Sequence, residues 1–117
     1  MRIFIADCQP HIRSALRILL EEDGRFEISG EAECPESMLA QVCLQPPDVI
    51  LLDWNLPGLH LQRLLATLSA HCPSTRILVT SLDPQQERAV LSSGAQGFLL
   101  KNLQPDEFMQ SLFAAIK

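Results

Sequence analysis

Short apolar runs and longer amphipathic stretches alternate along the chain. Arg2–Ala6 is a brief apolar run and reads as a strand. Pro10 suits the first position of a helix, and Ile12, Leu16, Leu19 and Leu20 then recur at helical spacing until Asp23–Gly24 breaks the pattern. Phe26–Ala32 alternates, with Phe26, Ile28 and Gly30 on one side, which predicts a less fully buried strand. Pro35–Gln45 carries Met38, Leu39, Val42 and Cys43 at three- and four-residue steps, a helix that Pro46–Pro47 stops. Val49–Ile50–Leu51–Leu52 is aliphatic throughout and closes on Asp53, as a buried parallel strand ending at the turn Trp54–Gly58 would.

The second half repeats the alternation. Leu61, Leu64, Leu65 and Leu68 predict a helix that ends near Cys72–Pro73, and Arg76–Thr80 predicts the fourth strand. Asp83–Pro84–Gln85–Gln86 is a helix start, with Asp as cap, Pro first inside and Gln three residues after the cap. Gly94 closes that helix, Gly97–Leu100 is the fifth strand, and Pro105–Lys117 the last helix. Five strand–helix units in sequence imply an α/β fold: one parallel sheet, right-handed crossovers, and helices on both faces.

Composition agrees with that architecture. The chain has 117 residues, 47% hydrophobic but only 5% aromatic, enough for one compact domain (residues 1–117) with an aliphatic core. Net charge is −5 with the basic residues scattered, which argues against binding nucleic acid or an anionic membrane directly. Cys8, Cys34, Cys43 and Cys72 show no paired metal-binding spacing and read as reduced thiols of a cytoplasmic protein. No signal peptide or apolar run of membrane-spanning length is visible.

Asp7 ends the first strand, Asp53 the third, Thr80 the fourth, and Lys101 follows the fifth. In a parallel sheet these strand ends share one edge, where ligands bind. Two acids, a hydroxyl and an ammonium therefore converge. An aspartate-nucleophile hydrolase would want a second Asp two residues after the nucleophile, where Asn55 stands, and a cap domain for which the chain has no room. An enzyme is not expected.

These residues, with the segments Met1–Asp7, Leu51–Gly58 and Gly94–Lys101, resemble the receiver domain of two-component response regulators over essentially the whole chain. The likeness is nearest to receivers that precede LuxR/NarL-type DNA-binding domains. It implies a flavodoxin-like, CheY-like (βα)5 doubly wound fold and a role in phosphorelay and transcription regulation. It also implies that Asp53 accepts a phosphoryl group from a histidine kinase. Asp7, Asp53 and the Asn55 backbone carbonyl would hold Mg2+, Lys101 would pair with the phosphoryl group, and Thr80 and Phe98 would form the switch.

The chain departs from the family where the second member of its acidic pair should stand, because position 8 is Cys8. Magnesium wants hard oxygen ligands, and a thiol is soft and mostly protonated at neutral pH. Mg2+ binding is therefore expected to be weak or absent. The loop before the third helix and the stretch from Thr80 to Gly94 are each one residue shorter than the family's usual length. Together these favour an alternative, a pseudo-receiver acting through dimerisation or protein interaction without phosphate. Softer-metal binding and redox sensing are the other uses considered for Cys8.

The last helix carries two apolar stripes, Phe108–Leu112–Ala115 and Met109–Phe113–Ile116. One stripe suffices for packing on the sheet. The second predicts an exposed interface, with a homodimer through this helix, unless the buried face is unusually wide.

Overall fold

The computed structural model describes residues 1–116. Five parallel strands, β1 (Arg2–Ala6), β2 (Glu27–Ala32), β3 (Val49–Asp53), β4 (Arg76–Ser81) and β5 (Gly97–Leu100), form one sheet in the order β2-β1-β3-β4-β5. Helices α1 (Pro10–Asp23), α2 (Pro35–Leu44), α3 (Leu61–His71), α4 (Glu87–Ser92) and α5 (Pro105–Ile116) connect and follow the strands.

The inner strands are aliphatic because both of their faces are covered. Along β1, Ile3 and Ile5 enter one core with Leu20, Leu51, Leu78, Leu99, Phe108 and Leu112. Phe4 and Ala6 enter the other with Met38, Val42, Leu52, Leu68 and Val79. Period-two alternation thus feeds α1 and α5 on one side and α2, α3 and α4 on the other. Each such aliphatic side chain stabilises by about 1.5–3 kcal/mol when fully buried. Gly24, with φ 82°, ends α1 in the left-handed conformation that an L side chain avoids.

Three local expectations need correction. The alternation predicted for β2 breaks because Ile3 pairs with Ile28 but Phe4 with Gly30, so Ser29 is an extra residue. Gly30 consequently faces Phe4, on the opposite side of the sheet from Ile28. A Cβ there would lie 2.7 Å from the Phe4 ring, so this edge strand is shaped around that ring. Second, the Asp83 cap forms, accepting from the Gln85 N–H at 2.9 Å, but it opens a 3-10 turn (Pro84–Gln86) ahead of a six-residue α4. Gln86 does not close a capping box; it accepts from the Ser81 hydroxyl.

The third correction concerns α5. Ile116 is buried, and Met109 and Phe113 are half-buried against the same core as Phe108 and Leu112. The Phe113 ring lies 5.5 Å from that of Phe26, and the Arg25 guanidinium covers it at 4.0 Å. Both stripes are used in packing, because the loop before β2 supplies Arg25 and Phe26 as a lid. Among the described residues the exposed large hydrophobics are Met1, Ile18, Leu44, Leu82 and Leu91, none of them in this stripe. Among the described residues, no helix is long and apolar enough to cross a membrane.

Candidate functional site

The strand order reverses direction at β1 and β3, which opens a crevice at their carboxyl ends. Asp7 and Cys8 sit there on the turn after β1, and the Asp7 N–H donates to the Ala32 carbonyl at 3.0 Å. Asp53 is the last residue of β3 and lies in register with Thr80 on β4. Lys101 follows β5, its N–H bound to the Ser81 carbonyl at 2.9 Å. The sheet therefore brings Asp7, Asp53, Thr80 and Lys101 to one edge, as the strand-end reading expects, with Cys8 beside them.

The Lys101 Nζ reaches Asp7 Oδ2 at 2.6 Å and Asp53 Oδ1 at 2.7 Å, and all three side chains are at most 8% exposed. Asp53 Oδ1 also accepts from the Asn55 N–H at 3.0 Å. Its Oδ2 accepts from the Cys8 N–H and from the Cys8 thiol, each at 3.4 Å. Asp7 Oδ1 accepts from the Gln9 N–H at 2.9 Å. Every carboxylate oxygen thus has a donor, without which two acids could not share a buried site.

Burial disfavours the Asp53 charge, but the Lys101 ammonium and the Asn55 and Cys8 N–H groups outweigh it and hold the carboxyl below its ordinary range. Burial likewise opposes the Lys101 charge, and the two aspartates overcome it and push the ammonium up. The Cys8 thiol is pushed up by burial first, then by its hydrogen bond to Asp53 and by the nearby carboxylate charges. It stays a neutral donor at physiological pH.

Thr80 is buried beside Asp53. Phe98 lies opposite Val79, one position before Thr80, and is half-buried on the α2–α4 side. A largely apolar cleft of about 470 Å3 runs from Thr80 and Lys101 outward between α1 and α5. Sequence reasoning passed over Arg13, counting it among scattered bases. Its guanidinium donates to the Asp7 carbonyl oxygen at 2.6 Å and lies 3.6 Å from Glu31, pinning the turn that carries Asp7 and Cys8. Its place one turn into the helix that follows Asp7 was the available signal.

Asp7, Cys8 and Asp53 offer ligand atoms that all lie within 4.8 Å of one another. Magnesium demands an octahedron of oxygens and avoids sulfur. Here one of the three converging side chains presents a protonated thiol, and that thiol already occupies Asp53 Oδ2. Asp7 and Asp53 offer the hard oxygens that Mg2+ takes, and Cys8 departs from that donor set.

A buried acid–lysine cluster at this switch point, on a sheet of this order, defines a receiver-type domain. Residues 3–113 match the response regulator receiver domain family, and the chain belongs to that family. It is 32% identical to the nitrate/nitrite response regulator protein NarL of Escherichia coli K12 over 115 residues, covering 97% of this chain and 53% of that protein. It is 29% identical to the transcriptional regulatory protein DegU of Brevibacillus brevis, covering 96% of this chain and 48% of that protein. The chain thus spans about half the length of these relatives. Among solved structures, the signal receiver domain of a NarL protein from Mycobacterium tuberculosis superposes with TM-score 0.86 at 28% identity, covering 98% and 94% of the two chains. RcsB of Salmonella enterica serovar Typhimurium, bound to a promoter with a phosphomimetic present, gives 0.84 at 25%, covering 98% of this chain and 61% of that one.

Proposed function

We propose that residues 1–117 form the receiver domain of a NarL/LuxR-type transcription regulator, a signalling module rather than an enzyme, and that Asp53 accepts a phosphoryl group from a histidine kinase. The observation that carries this reading is the Lys101 ammonium bridging Asp7 and Asp53 in a buried pocket. In the transfer, an Asp53 carboxylate oxygen attacks phosphorus. The phosphorus–nitrogen bond of the kinase phosphohistidine breaks, its electron pair stays on the imidazole, and that nitrogen takes up a proton. Lys101 then exchanges its Asp53 contact for a phosphoryl oxygen. The Thr80 hydroxyl, in register with Asp53, donates to a second, and Phe98 follows Thr80 inward to alter the output face.

Cys8 holds this reaction down, because the pocket lacks an oxygen where charge must be neutralised. The same observation favours the second reading, a module that signals by association without phosphate. Incubation with acetyl phosphate and Mg2+, followed by intact mass, separates the two. One phosphoryl group appearing on Cys8→Asp, at least tenfold more slowly on the parent, and never on Asp53→Asn supports phosphoryl acceptance. Absence of label from both the parent and Cys8→Asp would favour the association module.

A further inference from the structure

The peptide group between Asp7 and Cys8 is gripped at both ends. Its carbonyl oxygen accepts a charge-assisted bond from the Arg13 guanidinium at 2.6 Å, and its N–H donates to Asp53 Oδ2 at 3.4 Å. A trans peptide is planar, with C=O and N–H pointing in opposite directions, so turning one end turns the other. We infer that Arg13 is a positioning residue for phosphoryl acceptance, because it fixes the plane of the Asp7–Cys8 peptide and through it the Oδ2 side of the Asp53 carboxylate. This rests on Asp53 accepting a phosphoryl group, and it gives a role in that step to a side chain outside the acid–lysine cluster.

Lys101 and the Asn55 N–H both hold Asp53 Oδ1, and two donors on one oxygen do not fix the carboxylate plane. The donors at Oδ2 are the Cys8 thiol and the Cys8 N–H. The thiol can swing to another rotamer, whereas the N–H moves only if its peptide turns, which breaks the Arg13 bond. Neighbouring restraints act on other planes. The Asp7 N–H on the Ala32 carbonyl fixes the peptide before, and the Gln9 N–H on Asp7 Oδ1 fixes the peptide after. Arg13 is itself braced: it stands in the first turn of α1 with its Nε 3.6 Å from Glu31 on β2, and Arg17 grips the same glutamate. A cation at the carbonyl also polarises the peptide dipole, which strengthens the N–H as a donor to Asp53.

Amide hydrogen exchange and phosphoryl labelling test this together. Arg13→Met keeps the aliphatic stem and removes the donor. It should speed exchange of the Cys8 amide about tenfold or more by NMR, while the Asp7 amide, bonded to Ala32, changes by less than about twofold. Arg13→Lys, still a charged donor, should keep the Cys8 amide within about threefold of the parent. Labelling by acetyl phosphate with Mg2+ is read by intact mass in Cys8→Asp, which retains the N–H at residue 8. Adding Arg13→Met should slow it about fivefold or more, and adding Arg13→Lys by less than about twofold. Equal acceleration of the Asp7 and Cys8 amides would make Arg13 a plain stabiliser of the turn, and unchanged exchange at Cys8 would mean the plane is held without it; either result overturns the proposal. Labelling at one rate with and without Arg13 would overturn it too, and would leave phosphoryl acceptance standing. If Cys8→Asp takes no label while the exchange pattern is as expected, phosphoryl acceptance falls and the hold of Arg13 on the peptide stands.

Discussion

Lys101→Met removes the ammonium that lies between Asp7 and Asp53 and leaves a side chain of similar length. In the parent that ammonium lies 2.6 and 2.7 Å from carboxylate oxygens of Asp7 and Asp53, which are almost wholly shielded from solvent. Breaking such an arrangement from one side strands buried charge and costs about 3–5 kcal/mol. A domain of this size has roughly 5–15 kcal/mol in total. With a urea slope of about 1.5–2 kcal/mol per molar, the midpoint should fall by about 2 M. The pH dependence supplies a sharper sign. In the parent, Asp53 has a folded pKa below its ordinary 3.8, so its contribution is complete above that value and is lost as pH falls through the lowered one. In Lys101→Met the two carboxylates share a site without a cation, so one of them gains affinity for a proton on folding. Stability of the variant should therefore decline as pH rises from about 4 to 7, where the parent is flat or rising. Urea melts followed by Trp54 fluorescence at several pH values in that interval measure both quantities. A loss under about 1 kcal/mol with no change of slope would mean the cluster is solvated and exerts no strong field on Asp53.

Other consequences are simpler to read. Gly30→Ala drives a methyl into the Phe4 ring and the Gln41 amide and should lower stability by about 1–3 kcal/mol in thermal melts; an unchanged melting temperature would mean the bulge at Ser29 relaxes freely. Phe113→Ala loses the Phe26 ring contact and the Arg25 cover, so a destabilisation near 2 kcal/mol is expected by urea titration, and none would restore α5 as a free surface. Thiol alkylation near pH 8 should label exposed Cys43 first and leave Cys8 and buried Cys72, whose pKa values are both raised by burial, well behind; early labelling of Cys8 by peptide mapping would contradict its engagement with Asp53.

Where the chain is periodic and buried on both faces, its structure was legible in advance. β1, β3 and β5 begin and end where the apolar runs do, and Asp53 and Lys101 fall at the sheet edge because those runs stop there. β2 was misjudged because the bulge at Ser29 breaks its apparent alternation and sets Gly30 against the Phe4 ring of the neighbouring strand. At the start of α4 the Asp83 cap forms as its local pattern indicates, but Gln86 turns to the Ser81 hydroxyl instead of closing a capping box. Phe113 looked superfluous on a helical wheel because its partners, Arg25 and Phe26, are distant in sequence. At the site, the participants were readable from strand ends, whereas the bridging role of Lys101 and the grip of Arg13 on the Asp7 carbonyl required three dimensions.

Replacement of a hard oxygen by sulfur at residue 8 is the feature that sets this pocket apart. Titration of Mg2+ into the parent and into Cys8→Asp, followed by Trp54 fluorescence and by calorimetry, tests it most directly. Affinity at least tenfold higher in Cys8→Asp, about 1.4 kcal/mol or more, is the predicted result. Equal affinities, with the parent saturating as readily as the variant, would contradict it.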